Sequence, residues 1–395
     1  MPEPSPGREG ASETAEGLPV AGDPPTHVVD FPEEVEPPAE AEKDPAWTGG
    51  FVLAPSQLAG ARVVRYLGWL VLLAIAGFVV IAAQRIAAHA DPLVYLAQTV
   101  VYGLAAGSLY ALIALGYTMV YGIIELINFA HADVFSFGGF VALTLLPLFG
   151  LKEGAGGALV LGLLVLVTAI TMLVCGVLNI TIERVAYRPL RNAPRVSPLI
   201  TAAGMSFVLE GIMFIWKGPV NYHFPDLIPA GSVDLAAITI RIKDGLVVLL
   251  AVILMIALDR FVTGSKLGKA MRATAQDRDA ASLMGIDINR TIAATFFIGA
   301  MLAGAGGTAY GLYFGYIVFD LGFATGLIAF TAAVLGGIGN IRGAALGGLC
   351  IGMFEAIWNS YFSSGWTQVM IFVILTLVLL FRPAGLLGMR IPDRA

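Results

Sequence analysis

Residues 333–348 read AVLGGIGNIRGAALGG: an apolar run, a glycine-rich turn, then a second run of small residues. A soluble nucleotide-binding domain cradles phosphate on such a loop, whereas a membrane bundle uses one to interrupt a helix. As a dinucleotide fingerprint, Gly337, Gly339 and Gly343 put the third glycine one place late, and Glu355 falls too early for the acidic residue expected about 20 positions on. No βαβ pattern surrounds the stretch. It therefore separates two helices. Either it is a break lining a wet path, which Arg342 in the turn favours, or it is a short external or cytoplasmic turn between two ordinary spans.

Composition decides which solvent the helices meet. Of 395 residues, 57% are hydrophobic and 13% charged, with a mean hydropathy of +0.82; soluble domains carry roughly 25% charged residues. Apolar runs of spanning length, about 20 residues for ~30 Å of hydrocarbon, cover 64–83, 94–120, 133–150, 157–182, 197–216, 245–262, 291–314, 324–338, 344–362 and 366–381. They show no period-2 alternation, so the expected fold is an all-α polytopic membrane protein of about 8–10 transmembrane or broken helices. Residues 1–46 differ: 12 Asp/Glu stand against 2 Lys/Arg, with many prolines. They read as a disordered acidic tail. The segment 60–90 reads as an extra N-terminal span.

Charge in the connections orients the chain. Residues 183–195, ERVAYRPLRNAPR, hold four arginines, 259–290 hold six Lys/Arg, and Arg382, Arg390 and Arg394 lie at the end. The positive-inside rule places all three in the cytoplasm, and the segment count then puts the N-terminus there too. The connection 217–244 faces outward. Small residues at four-residue spacing, Gly103 and Gly107, Gly307, Gly311 and Gly315, and Gly343 and Gly347, permit close helix packing.

No metal-ligand spacing and no cofactor motif is present. TGSKLGKA at 263–270 has three residues between Gly264 and Gly268 and ends in alanine, so it is not a Walker loop. No HExxH, CxxC or nucleophile elbow suggests an enzyme. Polar residues inside the apolar runs are the candidates instead. In YGIIELINFAHADVFSFGGF, 121–140, Glu125, Asn128, His131 and Asp133 fall within about two turns, a costly cluster unless it faces water or polar partners. Gly122, Ile124, Ile127 and Ala130 align with Gly336, Ile338, Ile341 and Ala344 at a constant offset of 214, a hint of two related halves with the path at their interface. The candidate path residues are therefore Glu125, Asn128, His131, Asp133, Gly337, Gly339 and Arg342. Glu210 and Glu355 read either as relay carboxylates or as interhelical partners, the latter for Arg342.

Residues 264–291, GSKLGKAMRATAQDRDAASLMGIDINRT, are charged, alanine-rich and long enough for one or two short helices. Ala281, Met284 and Ile286, the last beyond a Gly285 stop, could fill a partner's groove while Arg272, Asp277 and Arg278 rim it. A solvated connector would look similar.

GSLYALIALGYTMVYGIIELINFAHADVF, ERVAYRPLR, GKAMRATAQDRDAASLMGIDINRT and FTAAVLGGIGNIRGAALGG resemble, in that order, the permease subunits of branched-chain amino acid ABC importers, the LivH type. The likeness covers about 93–388. It implies an inner-membrane permease domain without its own ATP site, pairing with a second, LivM-like permease, two cytoplasmic ATPase subunits and an extracytoplasmic binding protein. It also implies no nucleic-acid partner. ASLMGI, 281–286, matches the family's ATPase-coupling loop. Two departures stand near the expected path: Ala130-His131-Ala132-Asp133 where relatives usually read AHGE, and Arg342 where they usually carry proline. Urea or short amides therefore remain alternative cargoes, and an ion-coupled secondary transporter remains an alternative mechanism.

Overall fold

The computed structural model describes residues 69, 73, 76–77, 79–88 and 91–388, apart from 126–127, 155–156, 192, 195, 229–230 and 236. The acidic tail lies outside these residues, as does much of the expected N-terminal span, of which 79–87 is helical.

From Pro92 onward the chain is a helical bundle. In order come α1 (Pro92–Ile124), α2 (Ala130–Leu148), α3 (Ala158–Ile182), α4 (Val196–Lys217), strands β1 (Tyr222–His223), β2 (Ser232–Leu235) and β3 (Ile238–Arg241), then α5 (Ile242–Gly264), α6 (Lys266–Gln276), α7 (Arg278–Leu283), α8 (Ile288–Phe314), β4 (Tyr316–Ile317), α9 (Leu321–Gly336), α10 (Ile341–Tyr361) and α11 (Thr367–Phe381). Eight helices among the described residues are long and apolar enough to cross a membrane, and α9 is a shorter apolar helix. The strands form two small antiparallel pairs, β1 with β4 and β2 with β3. They decorate one end of the bundle and leave the helical class unchanged.

Helices α1, α2 and α8 form the centre, with most of α1 from Gly103 to Val120 buried. Outer helices keep large apolar side chains exposed, among them Val165, Val177, Ile253 and Leu379, a surface suited to lipid. Without a hydrophobic drive between helices, close packing must hold them. A Cβ on Gly107 would lie 2.9 Å from the Cα of Leu349, and one on Gly352 would strike the Gly107 backbone, so α1 and α10 touch main chain to main chain. We expect Gly352→Leu to cost about 3 kcal/mol or more, because backbone cannot yield as a side chain does. Gly162→Leu, at an open position on α3, should stay within ~0.5 kcal/mol. Unfolding titrations in mixed micelles read both.

The ends of the elements define two faces. Ile123, near the end of α1, accepts a bond from Arg278 of α7. Arg191 donates to Asn289 beside the start of α8 at 2.6 Å, and Arg342 pairs with Asp259 in the last turns of α5. The expected basic connections thus share one end, here called the basic face. At the other end, Gln98 near the start of α1 exchanges two 2.9 Å bonds with Thr239 of β3, and Tyr313 near the end of α8 donates to Tyr102. Helices α1 and α8 therefore run antiparallel.

Two helices are short because they start inside the bundle. His131, second in α2, packs under Gly116, about two turns before the end of α1. Gly322, second in α9, packs on Asp133, and Gly326 packs on Ala132 and lies near the Tyr117 hydroxyl. The N-termini of α2 and α9 thus meet, one reached from the basic face and the other from the opposite face.

This arrangement corrects the expected repeat. The offset of 214 pairs the α1–α2 break with the α9–α10 turn, which are different objects. The recurring unit is a long helix, a break and a re-entering short helix: α1 with α2, and α8 with α9. Because α1 and α8 run antiparallel, the two long-helix and short-helix pairs enter the bundle from opposite faces.

Candidate functional site

The expected path cluster separates into three places. At the basic face, a cavity of about 350 Å³ is lined by Glu125, Glu183, Tyr187, Arg191, Asp277 and Arg278, with apolar walls from Ile123, Ile292 and Phe296. Glu125 terminates α1 in the left-handed region at φ 55°, the one non-glycine residue there among the described residues. That conformation costs an L-residue roughly 1–2 kcal/mol. Asn128, just beyond it, is buried and accepts a 2.6 Å bond from the Tyr187 hydroxyl.

Tyr187 was not a candidate on sequence. The stretch ERVAYRPLR reads as a basic loop, but it continues α3 as a π-helical turn, Glu183–Tyr187, and a short 3₁₀ turn, Arg188–Leu190. The wider turn brings Glu183, Ala186 and Tyr187 to the buried side and leaves Arg184 and Arg188 outside. Glu183 is ion-paired with Arg191. Such single π turns often occur at functional sites; the available signal was a Tyr–Glu pair within an otherwise basic run.

His131 and Asp133 lie at the centre, both fully buried. The imidazole of His131 stands edge-on to Tyr117 with ring centroids 4.9 Å apart. The Ser206 hydroxyl of α4 donates to one Asp133 carboxylate oxygen, and the other oxygen sits against the start of α9 near Gly322. Asp133 thereby bonds α2 to α4 at the place where the starts of α2 and α9 pack together.

Gly337, Gly339 and Arg342 belong elsewhere. Gly337 and Gly339 have φ of 108° and 91°, and a Cβ on Gly337 would run into Gly388 of the C-terminal segment. Only glycine suits that turn. Asn340 caps α10, accepting from the amides of Arg342 and Gly343 at 3.1 and 3.2 Å. Arg342 has a 74% exposed side chain and meets Asp259 at 3.1 Å. Its carboxylate partner is thus Asp259, not Glu210 or Glu355, and the turn lies at the basic face. The turn joins α9 to α10.

The 264–291 connection forms two short helices. Ser265 caps α6 through Gly268, and Asp277 caps α7 through the amides of Asp279 and Ala280 at 2.9 and 3.0 Å. Arg272 bonds back to the Val262 carbonyl. Arg278 turns inward to the Ile123 carbonyl at 2.7 Å. Ala281 is buried beneath α7, and Ile286 is half-buried. The outward apolar pair is Leu283 and Met284, 89% and 82% exposed, ahead of Gly285 at φ 81°. Leu283 was missed because the assumed helical face ran through Ala281. Arg272, Asp277 and Arg278 are engaged with backbone groups and do not rim that pair.

Comparison with known proteins gives a family model described as branched-chain amino acid transport system / permease component, matching residues 99–380. The high-affinity branched-chain amino acid transport system permease protein BraD of Pseudomonas aeruginosa is 43% identical over 298 residues, 74% of this chain and 95% of BraD. The corresponding permease protein LivH of Escherichia coli K12 is 40% identical over 309 residues, covering 75% and 97%. The probable branched-chain amino acid transport permease protein LivM of Methanocaldococcus jannaschii is 28% identical over 134 residues, 30% of this chain and 39% of LivM. No solved structure matches.

Proposed function

The chain belongs to the permease family of branched-chain amino acid transport systems and is a multi-pass membrane protein, and on that premise we propose that it is the translocating subunit of an ATP-driven importer of branched-chain amino acids. The observation that carries the reading is the meeting of two helices that start inside the bundle, α2 and α9, N-terminus to N-terminus. Discontinuous helices of this kind line substrate sites near the membrane midplane.

In this reading the basic face is cytoplasmic, the membrane is the bacterial inner membrane, and a LivM-like permease, two ATPase subunits and an extracytoplasmic binding protein complete the machine. The ATPase subunits grip Leu283 and Met284. Motion of α7 passes through Arg278 to the end of α1. There the strained Glu125 and the Tyr187-held Asn128 lead directly into α2. Tilting α2 against α9 would open the centre alternately to the two faces. Coupling requires only that the ATPases bind one permease conformation more tightly than the other.

Uptake of radiolabelled leucine into proteoliposomes tests this, using the full complex with the binding protein. The expected result is uptake that requires ATP and disappears with a hydrolysis-dead ATPase. Uptake by the isolated chain under a proton or sodium gradient would overturn it in favour of a secondary transporter. ATP-driven uptake of urea without leucine would keep the machine and change its cargo.

A further inference from the structure

A second cavity, about 170 Å³, opens on the side of the bundle between α4 and α9. Phe129, Phe207, Phe323 and Phe330 supply its aromatic walls, and the hydroxyl-bearing side chains of Tyr117 and Ser206 are its polar lining. An engineered apolar cavity of about 150 Å³ accommodates benzene, so this one has room for a branched aliphatic side chain. It offers nothing to pair with a charge.

Charge waits just outside it. Ala203, Phe207, Glu210 and Phe214 follow one stripe of α4, and Glu210 lies one turn beyond Ser206. Asp320 precedes Phe323 by less than a turn, at the N-cap position of α9. Its side chain makes no capping bond and is exposed, and its neighbour Phe319 packs on Phe214 of α4 with ring centroids 5.4 Å apart, which brings Asp320 to the Glu210 end of that stripe. Neither forms an ion pair among the described residues. About four turns into a spanning helix, a carboxylate facing lipid would be expensive. At the Glu210 end of the stripe the cavity therefore borders water or protein, which favours a polar-headed occupant over an acyl chain.

We infer that this cavity is a cargo subsite, receiving the apolar side chain of a free amino acid whose α-ammonium group is held by Glu210 and Asp320. The inference rests on the proposed import function and adds the residues that select the cargo. The division of labour matches the ligand: the apolar end of leucine, isoleucine or valine leaves water for a phenylalanine-walled pocket. The ammonium of its zwitterionic end meets two carboxylates that otherwise lack a counter-charge, with the α-carboxylate turned away from them. Urea has neither an apolar side chain for the pocket nor a positive charge for the carboxylates, and a carboxylic acid without the amine would be repelled.

Photolabelling of the full complex in nanodiscs with L-photo-leucine, a diazirine analogue of leucine, tests the assignment during ATP turnover. Adducts should map to 203–207 and 323–330. In Ala203→Phe, with the cavity filled, labelling there should vanish, and the leucine-to-valine uptake ratio should fall about tenfold. Glu210→Gln with Asp320→Asn should lower leucine uptake about tenfold, the value of charge-assisted bonds to one ammonium group. Adducts confined to other helices would overturn the subsite, as would an equal decline of leucine and valine. Loss of the second permease from the Ala203→Phe complex would assign the cavity to a protein contact instead. A wild-type complex that imports leucine yet labels elsewhere refutes the subsite alone. One that imports no leucine refutes the functional reading with it.

Discussion

Leu283→Glu combined with Met284→Glu will abolish recruitment of the ATPase subunits while the permease still inserts and folds. The two side chains are among the most exposed large apolar groups of the described residues, and they sit at the tip of a short helix fixed from behind. Asp277 caps that helix, Arg278 anchors its first turn, and the chain leaves through Gly285, whose amide bonds Ser282 at 2.9 Å. A peg so held loses little entropy on docking. Burying two such side chains in a partner's groove contributes about 1.5–3 kcal/mol each, and two carboxylates in the same groove would bring an uncompensated desolvation cost. Together these exceed the few kcal/mol that separate a stable complex from an undetectable one. Because neither side chain is packed within its own fold, stability should change by less than ~0.5 kcal/mol. Pull-down of the ATPase from detergent-solubilised variant measures it; wild-type recovery would remove α7 as the docking peg.

Arg278→Ala should produce the converse defect: ATPase subunits bound and hydrolysing, cargo not moving. The last carbonyls of a helix have no partner within it, and the negative end of the helix dipole favours a cation there. Arg278 supplies one to Ile123 at 2.7 Å, and the next residues are the Glu125 break and Asn128. Removing the guanidinium forfeits a charge-assisted bond of about 1.5–3 kcal/mol and the rigid link between peg and break. We expect leucine uptake to fall at least about tenfold, with ATPase recruitment within about twofold. The ratio of ATP hydrolysed to leucine imported should rise accordingly, which a merely destabilised bundle would not do. Unchanged stoichiometry in Arg278→Ala would remove this bond from the transmission route.

Different parts of the molecule were legible in the sequence to different degrees. The spans were legible because lipid is a demanding solvent: Ala158–Ile182 and Ile242–Gly264 match their apolar runs closely. The clustering of basic connections was legible for the same reason. The small-residue spacings were partly so. Gly103 and Gly107 do meet α10, and Gly343 and Gly347 meet α9, but Gly315 ends α8 at φ 78° with nothing beside its would-be Cβ. Spacing marks a helix surface as thin; it does not name what lies against it.

The candidate site fared less evenly. Glu125 lines a basic-face cavity and Asn128 bonds Tyr187 of its wall, His131 and Asp133 lie buried at the centre, and Arg342 pairs with Asp259, 83 positions away in the chain. No local pattern could have linked those two, because an ion pair across helices depends on which ends the bundle brings together. The same holds for Tyr187 and Asn128, joined by a π turn that a one-residue change in helical register creates. It holds for the phenylalanine-walled cavity too, whose residues come from four separate segments.

By itself the sequence determined the solvent of this protein, the helical class of its spans and the family of its relatives, because burial in lipid acts on each segment independently. Only the tertiary structure decided that two of the helices begin inside the bundle, that Leu283 rather than Ala281 points outward, and that one expected path divides into a basic-face cavity, a buried centre and a surface turn. Those outcomes depend on which backbone approaches which, and that is settled by packing between segments distant in the chain.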